Sequence, residues 1–315
     1  MALRILFCGT PEFAVPSLRA LLAAPDISIE AVITQPDRPR GRGQETASLP
    51  VKDVALVAGL HVFQPEKIKS ESAQEFIAKI KPDAIVIIAY GQIIPAGLLE
   101  IPRLGWINVH ASLLPKYRGA APIQWAIING ETRTGVTTMR IDAGLDTGPM
   151  LERTEIEIGT DETAPELSRR LADVGASLIV STLGKLERGE FVPRAQDNSQ
   201  ASLARPLKKE DGATDWSLTA AQIYNRIRGL EPWPGVYTTF RGHVMQFWGT
   251  PALIGERGEP GLIRASHGEV LVACGGGTWL ALSEVKLEGR KRMAARDFAN
   301  GARLMADEKV GDSQR

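Results

Sequence analysis

The chain has 315 residues, long for a single hydrophobic core, so two domains are the first expectation. With 43% apolar and 23% charged residues it is not a disordered chain, and its 37 basic and 37 acidic side chains cancel, so composition alone does not point to a nucleic-acid partner. Two cysteines, Cys8 and Cys274, exclude a disulfide framework and read as reduced thiols buried in apolar runs.

The first residues enter a strand at once, Leu3–Cys8, with no leader-like series of charge, apolar stretch and cleavage site. No apolar run approaches the ~20 residues that span a bilayer, so a cytoplasmic protein is expected. Gly9-Thr10-Pro11 closes that strand, and Val15–Ala24 reads as a helix with Leu18, Leu21 and Leu22 on one face. Glu30–Thr34 reads as a second strand, with helical segments at Asp53–Ala58 and Ala73–Ile80. Ala84–Ala89 is continuously apolar, as in a strand of a parallel sheet covered on both faces. Gly105–His110 follows as a strand, then a helix near Ile123–Asn129, strands at Val136–Ile141 and Met150–Ile158, and a long amphipathic helix, Ala164–Arg188. This alternation predicts an α/β fold, a doubly wound and mostly parallel sheet, over residues 1–189. Residues 190–205 are polar and without periodicity, and read as a linker. In residues 206–315, a helix at Ala220–Arg228 is followed by short, glycine-punctuated β-rich runs and a final helix near Ala294–Leu304. That spacing predicts a small β-barrel.

Asn108-Val109-His110 is the most informative triplet. On a strand, residues i and i+2 share a face, so the carboxamide and the imidazole project together at the strand's end, where open α/β sheets bind ligands. Asp146 stands in a loop between Gly144 and Gly148 that could reach them. A carboxylate beside a histidine fixes its tautomer and helps it take up a proton, and an asparagine can donate to a developing oxyanion. The trio therefore suits acyl transfer to an amine. By itself the Asn-x-His pair is more often structural, and a lone Asp between glycines as readily caps its own turn. No serine-hydrolase elbow, dinucleotide fingerprint or phosphate loop is present. The histidines at 61, 110, 243 and 267 are too scattered for a metal site, so no metal is expected.

The run NVHASLLPKYRGAAPIQWAIINGE, followed by GVTTMRIDAGLDTGPML, resembles the formyltransferases that use 10-formyltetrahydrofolate. The resemblance implies a Rossmann-like catalytic domain at 1–189 with Asn108, His110 and Asp146 as the catalytic trio. It also implies a folate site lined by Ser112, Leu113, Leu114 and Pro115. From IAYGQIIP, it implies contacts by Ile88, Ala89, Tyr90, Gly91 and Ile93. ILFCGTPEFAVPSL, ITQPDRPRGRG and the segment from Asp215-Trp216 to Pro234-Gly235 are similar to the branch of that family whose acceptor is an initiator tRNA charged with methionine. For that branch the resemblance implies an OB-like barrel at 206–315 that binds tRNA. It further implies RNA contacts by Arg38, Arg40 and Arg42 in the loop after the second strand. Nothing in the sequence demands more than a monomer. Arg290, Lys291 and Arg292, with Arg296, form the densest basic patch and are the second candidate RNA contact. The Gln44-Glu45 continuation makes the first loop less basic than is usual in that branch. The alternatives are a sister enzyme formylating an amino sugar nucleotide or other small amine, a formyl-folate hydrolase, and a non-catalytic RNA-binding module on the same scaffold.

Overall fold

The computed structural model describes residues 2–38, 49–266, 268–305 and 307–311. In chain order the elements begin with β1 (Leu3–Gly9), α1 (Val15–Ala23), β2 (Ile27–Ile33), α2 (Pro50–Val57), β3 (Val62–Phe63), α3 (Glu71–Ile80), β4 (Ala84–Ile88), α4 (Ala96–Leu99) and β5 (Trp106–His110). They continue with β6 (Arg118–Gly119), α5 (Pro122–Ile128), β7 (Arg133–Arg140), β8 (Met150–Glu157), α6 (Ala164–Glu187) and β9 (Leu203–Ala204). The last group is α7 (Ala220–Gly229), β10 (Tyr237–Phe240), β11 (His243–Ala252), β12 (Ile263–Ser266), β13 (Glu269–Cys274), β14 (Thr278–Leu287), β15 (Met293–Ala294) and α8 (Ala295–Ala302).

Two compact units emerge: residues 1–122, 133–157 and 166–205 form the first, and 123–132, 158–165 and 206–315 the second. In the first, seven strands run in the order β3-β2-β1-β4-β5-β7-β8. The pairings from β3 through β5 are parallel, and the two involving β7 are antiparallel. All five residues of β4 are buried, as a continuous apolar run in a sheet covered on both faces requires. Leu6, Cys8, Ile33, Ile77, Ile85, Tyr90 and Trp106 share one core cluster, in which the Trp106 indole N–H donates to the Leu98 carbonyl at 2.7 Å. Helix α3 starts where Ser70 accepts from the Ala73 N–H, satisfying one of the unpaired donors of its first turn.

Residues 190–205, whose composition suggested a linker, are hydrogen-bonded into this first unit. Arg194 pairs with Met150, and β9 lies parallel to β6. At Gly119 in β6, φ is +119° and an added Cβ would stand 2.7 Å from the Ala204 carbonyl oxygen, so only glycine permits the pairing.

In the second unit an antiparallel sheet runs β10-β11-β14-β13-β12, with β15 paired to β14. The strand ladder itself is open, and the expected barrel is completed by the chain's tail. Val310 N–H donates to the Gly261 carbonyl beside β12, and Gly311 N–H donates to Thr239 in β10. Ile223, Ile227, Phe247, Leu280, Val285 and Phe298 fill its core, placing α7 and α8 against the sheet. Thr219 and Gln222 form a capping box at the start of α7. Among the described residues, no helix is long and apolar enough to cross a membrane.

Candidate active site

Strand β5 carries Asn108 and His110, two residues apart and on one face. Its antiparallel partner β7 sets Ile107 opposite Arg140 and His110 opposite Thr137. The loop after β7 therefore leaves at the far end of the pair from His110, and must double back to bring Asp146 to the trio. It does so with Asp146 at φ +51°, a left-handed conformation that costs a non-glycine residue free energy and needs its surroundings to hold it.

The Asp146 carboxylate is the hub. Its Oδ1 accepts from Asn108 Nδ2 at 3.4 Å, and its Oδ2 accepts from the Gly119 N–H at 2.9 Å. Oδ2 also stands 3.6 Å from His110 Nδ1, within ion-pair range but longer than a hydrogen bond. The alternative of Asp146 merely capping its own turn is not what the geometry shows, because its carboxylate reaches out to β5 and β6. Asn108 spends one N–H on Asp146, and its amide nitrogen carries a second.

His110 is almost fully buried, and its other ring nitrogen, Nε2, lies 2.9 Å from the Tyr117 carbonyl oxygen. A carbonyl only accepts, so Nε2 carries a hydrogen and donates it. In the neutral ring Nδ1 is then the free base. The tautomer is thus fixed by the Tyr117 main chain, and Asp146 sits where a positive charge on the ring would be met. Tyr117 holds its carbonyl there at φ +60°, with its own N–H donated to Ser202 Oγ at 2.9 Å. Sequence reasoning missed this support, since a backbone carbonyl leaves no mark on residue type.

The Ser112–Pro115 turn is closed by its own bonds. Ser112 Oγ donates to the Lys116 carbonyl at 2.6 Å. Thr137 Oγ1 donates to the Ser112 carbonyl at 2.7 Å and accepts from the Leu114 N–H at 3.2 Å. Ser112 and Leu114 are fully buried, so their side chains serve the turn, while Leu113 and Pro115 are half-buried. At the end of β4, next to β5, Ile88 and Tyr90 are buried, whereas Ala89, Gly91 and Ile93 are exposed. Ala89 and Gly91 have φ of +48° and +81°, and Ile93 is 90% exposed. Exposed residues with left-handed backbone beside an exposed apolar side chain are the kind of lining a flat heteroaromatic ring can use, since such a ring takes apolar walls and a few backbone bonds. The Tyr90 carbonyl accepts from Gln35 Nε2 at 2.8 Å, tying this stretch to the segment just after β2. Burial pushes the Tyr90 phenol and the Cys8 thiol upward, so neither ionises near neutrality.

Of the basic candidates, Arg38 is exposed and 3.8 Å from Glu66. The stem of its loop is pinned by Asp37, which accepts from Lys52 and from Gln64 and is held below the usual carboxylate range by those bonds. Arg40 and Arg42 lie outside the described residues. In the second unit Arg290 and Lys291 are exposed, while Arg292 lies 3.7 Å over the Trp248 ring and pairs with Glu284. Among the described residues no cluster of three His, Cys, Asp or Glu could hold a metal ion.

An Asn–His–Asp constellation on a mostly parallel sheet, with a buried imidazole and an amide donor, is chemically able to serve group transfer to or from a carbonyl. Comparison with known proteins narrows it. Residues 3–183 match the family described as formyl transferase, and residues 206–303 match its C-terminal domain. The chain belongs to the formyl transferase family. Among curated relatives, a methionyl-tRNA formyltransferase of Solibacter usitatus is 55% identical over 311 residues, covering 98% of this chain and 99% of the relative. One of Acidobacterium capsulatum is 52% identical, covering 98% of this chain and all of the relative. Solved structures share the fold at lower identity. WlaRD, a sugar 3N-formyl transferase studied with dTDP and 5-N-formyl-THF, gives a TM-score of 0.67 at 19% identity over 92% of this chain and all of that one. HypX from Aquifex aeolicus, in complex with tetrahydrofolic acid, gives 0.59 at 16% identity over 95% of this chain and 47% of that one.

Proposed function

We infer that this chain transfers the formyl group of 10-formyltetrahydrofolate to the amino group of initiator methionyl-tRNA, as a cytoplasmic monomer. The observation that carries the reading is full-length similarity above 50% to methionyl-tRNA formyltransferases, in a chain whose fold brings Asn108, His110 and Asp146 together. In this reading His110 Nδ1 takes the proton that the attacking amine must lose. Asp146 stabilises the resulting imidazolium, and the second N–H of Asn108 meets the oxyanion that develops on the formyl carbonyl. As the tetrahedral species collapses, the bond from the formyl carbon to the folate nitrogen breaks and the imidazolium returns its proton to that leaving nitrogen. The exposed backbone at Ala89 and Gly91, with Ile93, Leu113 and Pro115, holds the folate donor and supplies the activated formyl group to the trio. Ile88, Tyr90, Ser112 and Leu114 act through the main chain or by shaping these loops. Arg38, Arg40 and Arg42 contact the acceptor end of the tRNA, and Arg290 and Lys291 contact its phosphates from the second domain, 206–315. Arg292, already engaged with Trp248 and Glu284, contributes less.

The test offers three acceptors in parallel with 10-formyltetrahydrofolate: methionyl-tRNA, uncharged tRNA and an amino sugar nucleotide. Formylated product from methionyl-tRNA alone, falling steeply with added salt, is expected, because each neutralised phosphate adds salt dependence. Product from the small amine alone would overturn the acceptor assignment. Formate release without any acceptor would mean a hydrolase.

A further inference from the structure

The polar stretch at residues 190–205 reaches the Asp146 loop through the Gln196 side chain. Its Nε2 donates to two carbonyls of the catalytic loop, Asp146 O and Gly148 O, each at 2.8 Å. Its Oε1 accepts from Arg118 Nε at 3.0 Å and Nη2 at 2.8 Å. Arg118 is buried, and its Nη2 also donates to Asn198 Oδ1 at 2.8 Å. A guanidinium only donates, so the amide oxygen must face Arg118 and the NH2 group must face the loop. The orientation of this carboxamide is therefore dictated, and its donors are aimed at the backbone of the residue that holds the site together.

We propose that Gln196 is a positioning residue for formyl transfer, fixing the Asp146 carboxylate through the main chain of its loop. The proposal rests on the functional reading above. Asp146 occupies a left-handed conformation, and the bond from Gln196 to its own carbonyl restrains it there. Without that restraint the loop relaxes and the carboxylate leaves Asn108 Nδ2, the Gly119 N–H and the His110 ring. Glutamate cannot substitute. It keeps an acceptor for Arg118 but sets a carboxylate oxygen against two carbonyl oxygens. Both ends of the Gln196 carboxamide are engaged by protein groups, so its loss is expected to slow turnover rather than weaken binding.

The experiment measures kcat, and KM for both substrates, in wild type, Gln196→Leu, Gln196→Glu, Asp146→Ala and the double variant Gln196→Leu/Asp146→Ala. Thermal melts confirm folding, and Gln196→Glu, close in size to glutamine, is read if Gln196→Leu does not fold. Each Gln196 variant is expected to lose at least ~10-fold in kcat with KM changed by less than ~2-fold, the pattern of a lost transition-state contribution. In the Asp146→Ala background, Gln196→Leu is expected to add no further loss, because residues acting through one group are not additive. Wild-type kcat in the folded Gln196 variants would overturn the proposal, as would losses that multiply in the double variant. Full turnover by Asp146→Ala would instead overturn the functional reading beneath it.

Discussion

Gly148→Ala is a test of how tightly the catalytic loop is seated. An added Cβ would stand 1.8 Å from the Arg140 carbonyl oxygen and 3.0 Å from the Arg140 carbonyl carbon. Both neighbours are backbone, so no side chain can swing aside, and the loop must withdraw by more than ~1 Å to reach ordinary contact. The Gly148 carbonyl accepts from Gln196, and that same amide holds Asp146, so the displacement reaches the carboxylate. Misplacing a catalytic group by about 1 Å costs on the order of 100-fold in rate, so kcat for formyl transfer should fall by ~100-fold while the protein stays folded. Steady-state transfer to methionyl-tRNA, with circular dichroism as the folding check, reads the effect. A folded Gly148→Ala protein with kcat within about threefold of wild type would refute the reasoning.

Thr137→Val removes a buried hydroxyl that satisfies both the Ser112 carbonyl and the Leu114 N–H. Two stranded polar groups at about 1–3 kcal/mol each should lower the first unit's melting transition by roughly 10 °C, and an unchanged transition would contradict the assignment. Glu308 is held below the usual carboxylate range chiefly by the Arg241 guanidinium. Because the folded value is depressed, this stabilisation is present above the unfolded value of about 4.3 and is lost as pH falls through the folded one. The melting difference between wild type and Glu308→Gln should therefore shrink on acidification below that value and persist at neutral pH. Both cysteines are buried, and burial pushes the Cys274 thiol up to about 12 and Cys8 higher still. Neither should react with iodoacetamide in the native protein near pH 8, which mass spectrometry checks.

The sheet was largely legible because its strands are short apolar runs that a buried parallel sheet demands, and its helices carry one apolar face. The shared face of Asn108 and His110 followed from strand periodicity alone. Four features were not legible, for physical reasons. Strands β6 and β9 are two residues each, too short for a period to register. The support of His110 comes from the Tyr117 carbonyl, and any residue type supplies a carbonyl. Residues 190–205 read as a linker because they are polar and aperiodic, yet Gln196 and Ser202 spend their polarity on the loops around the site. Composition distinguishes polar from apolar, not a polar group facing water from one facing a buried carbonyl. The tail that completes the second unit's barrel escaped notice for the same reason, since it closes the ladder through main-chain bonds at Val310 and Gly311.

Whether Asn108, His110 and Asp146 carry formyl transfer to methionyl-tRNA is tested most directly by the single-turnover rate of that transfer in wild type and Asn108→Ala. The wild-type protein should form formylmethionyl-tRNA, and the folded variant should do so ~100- to 1000-fold more slowly, as the loss of an oxyanion donor requires. Equal rates, or no transfer by the wild-type protein, would contradict that role for the trio.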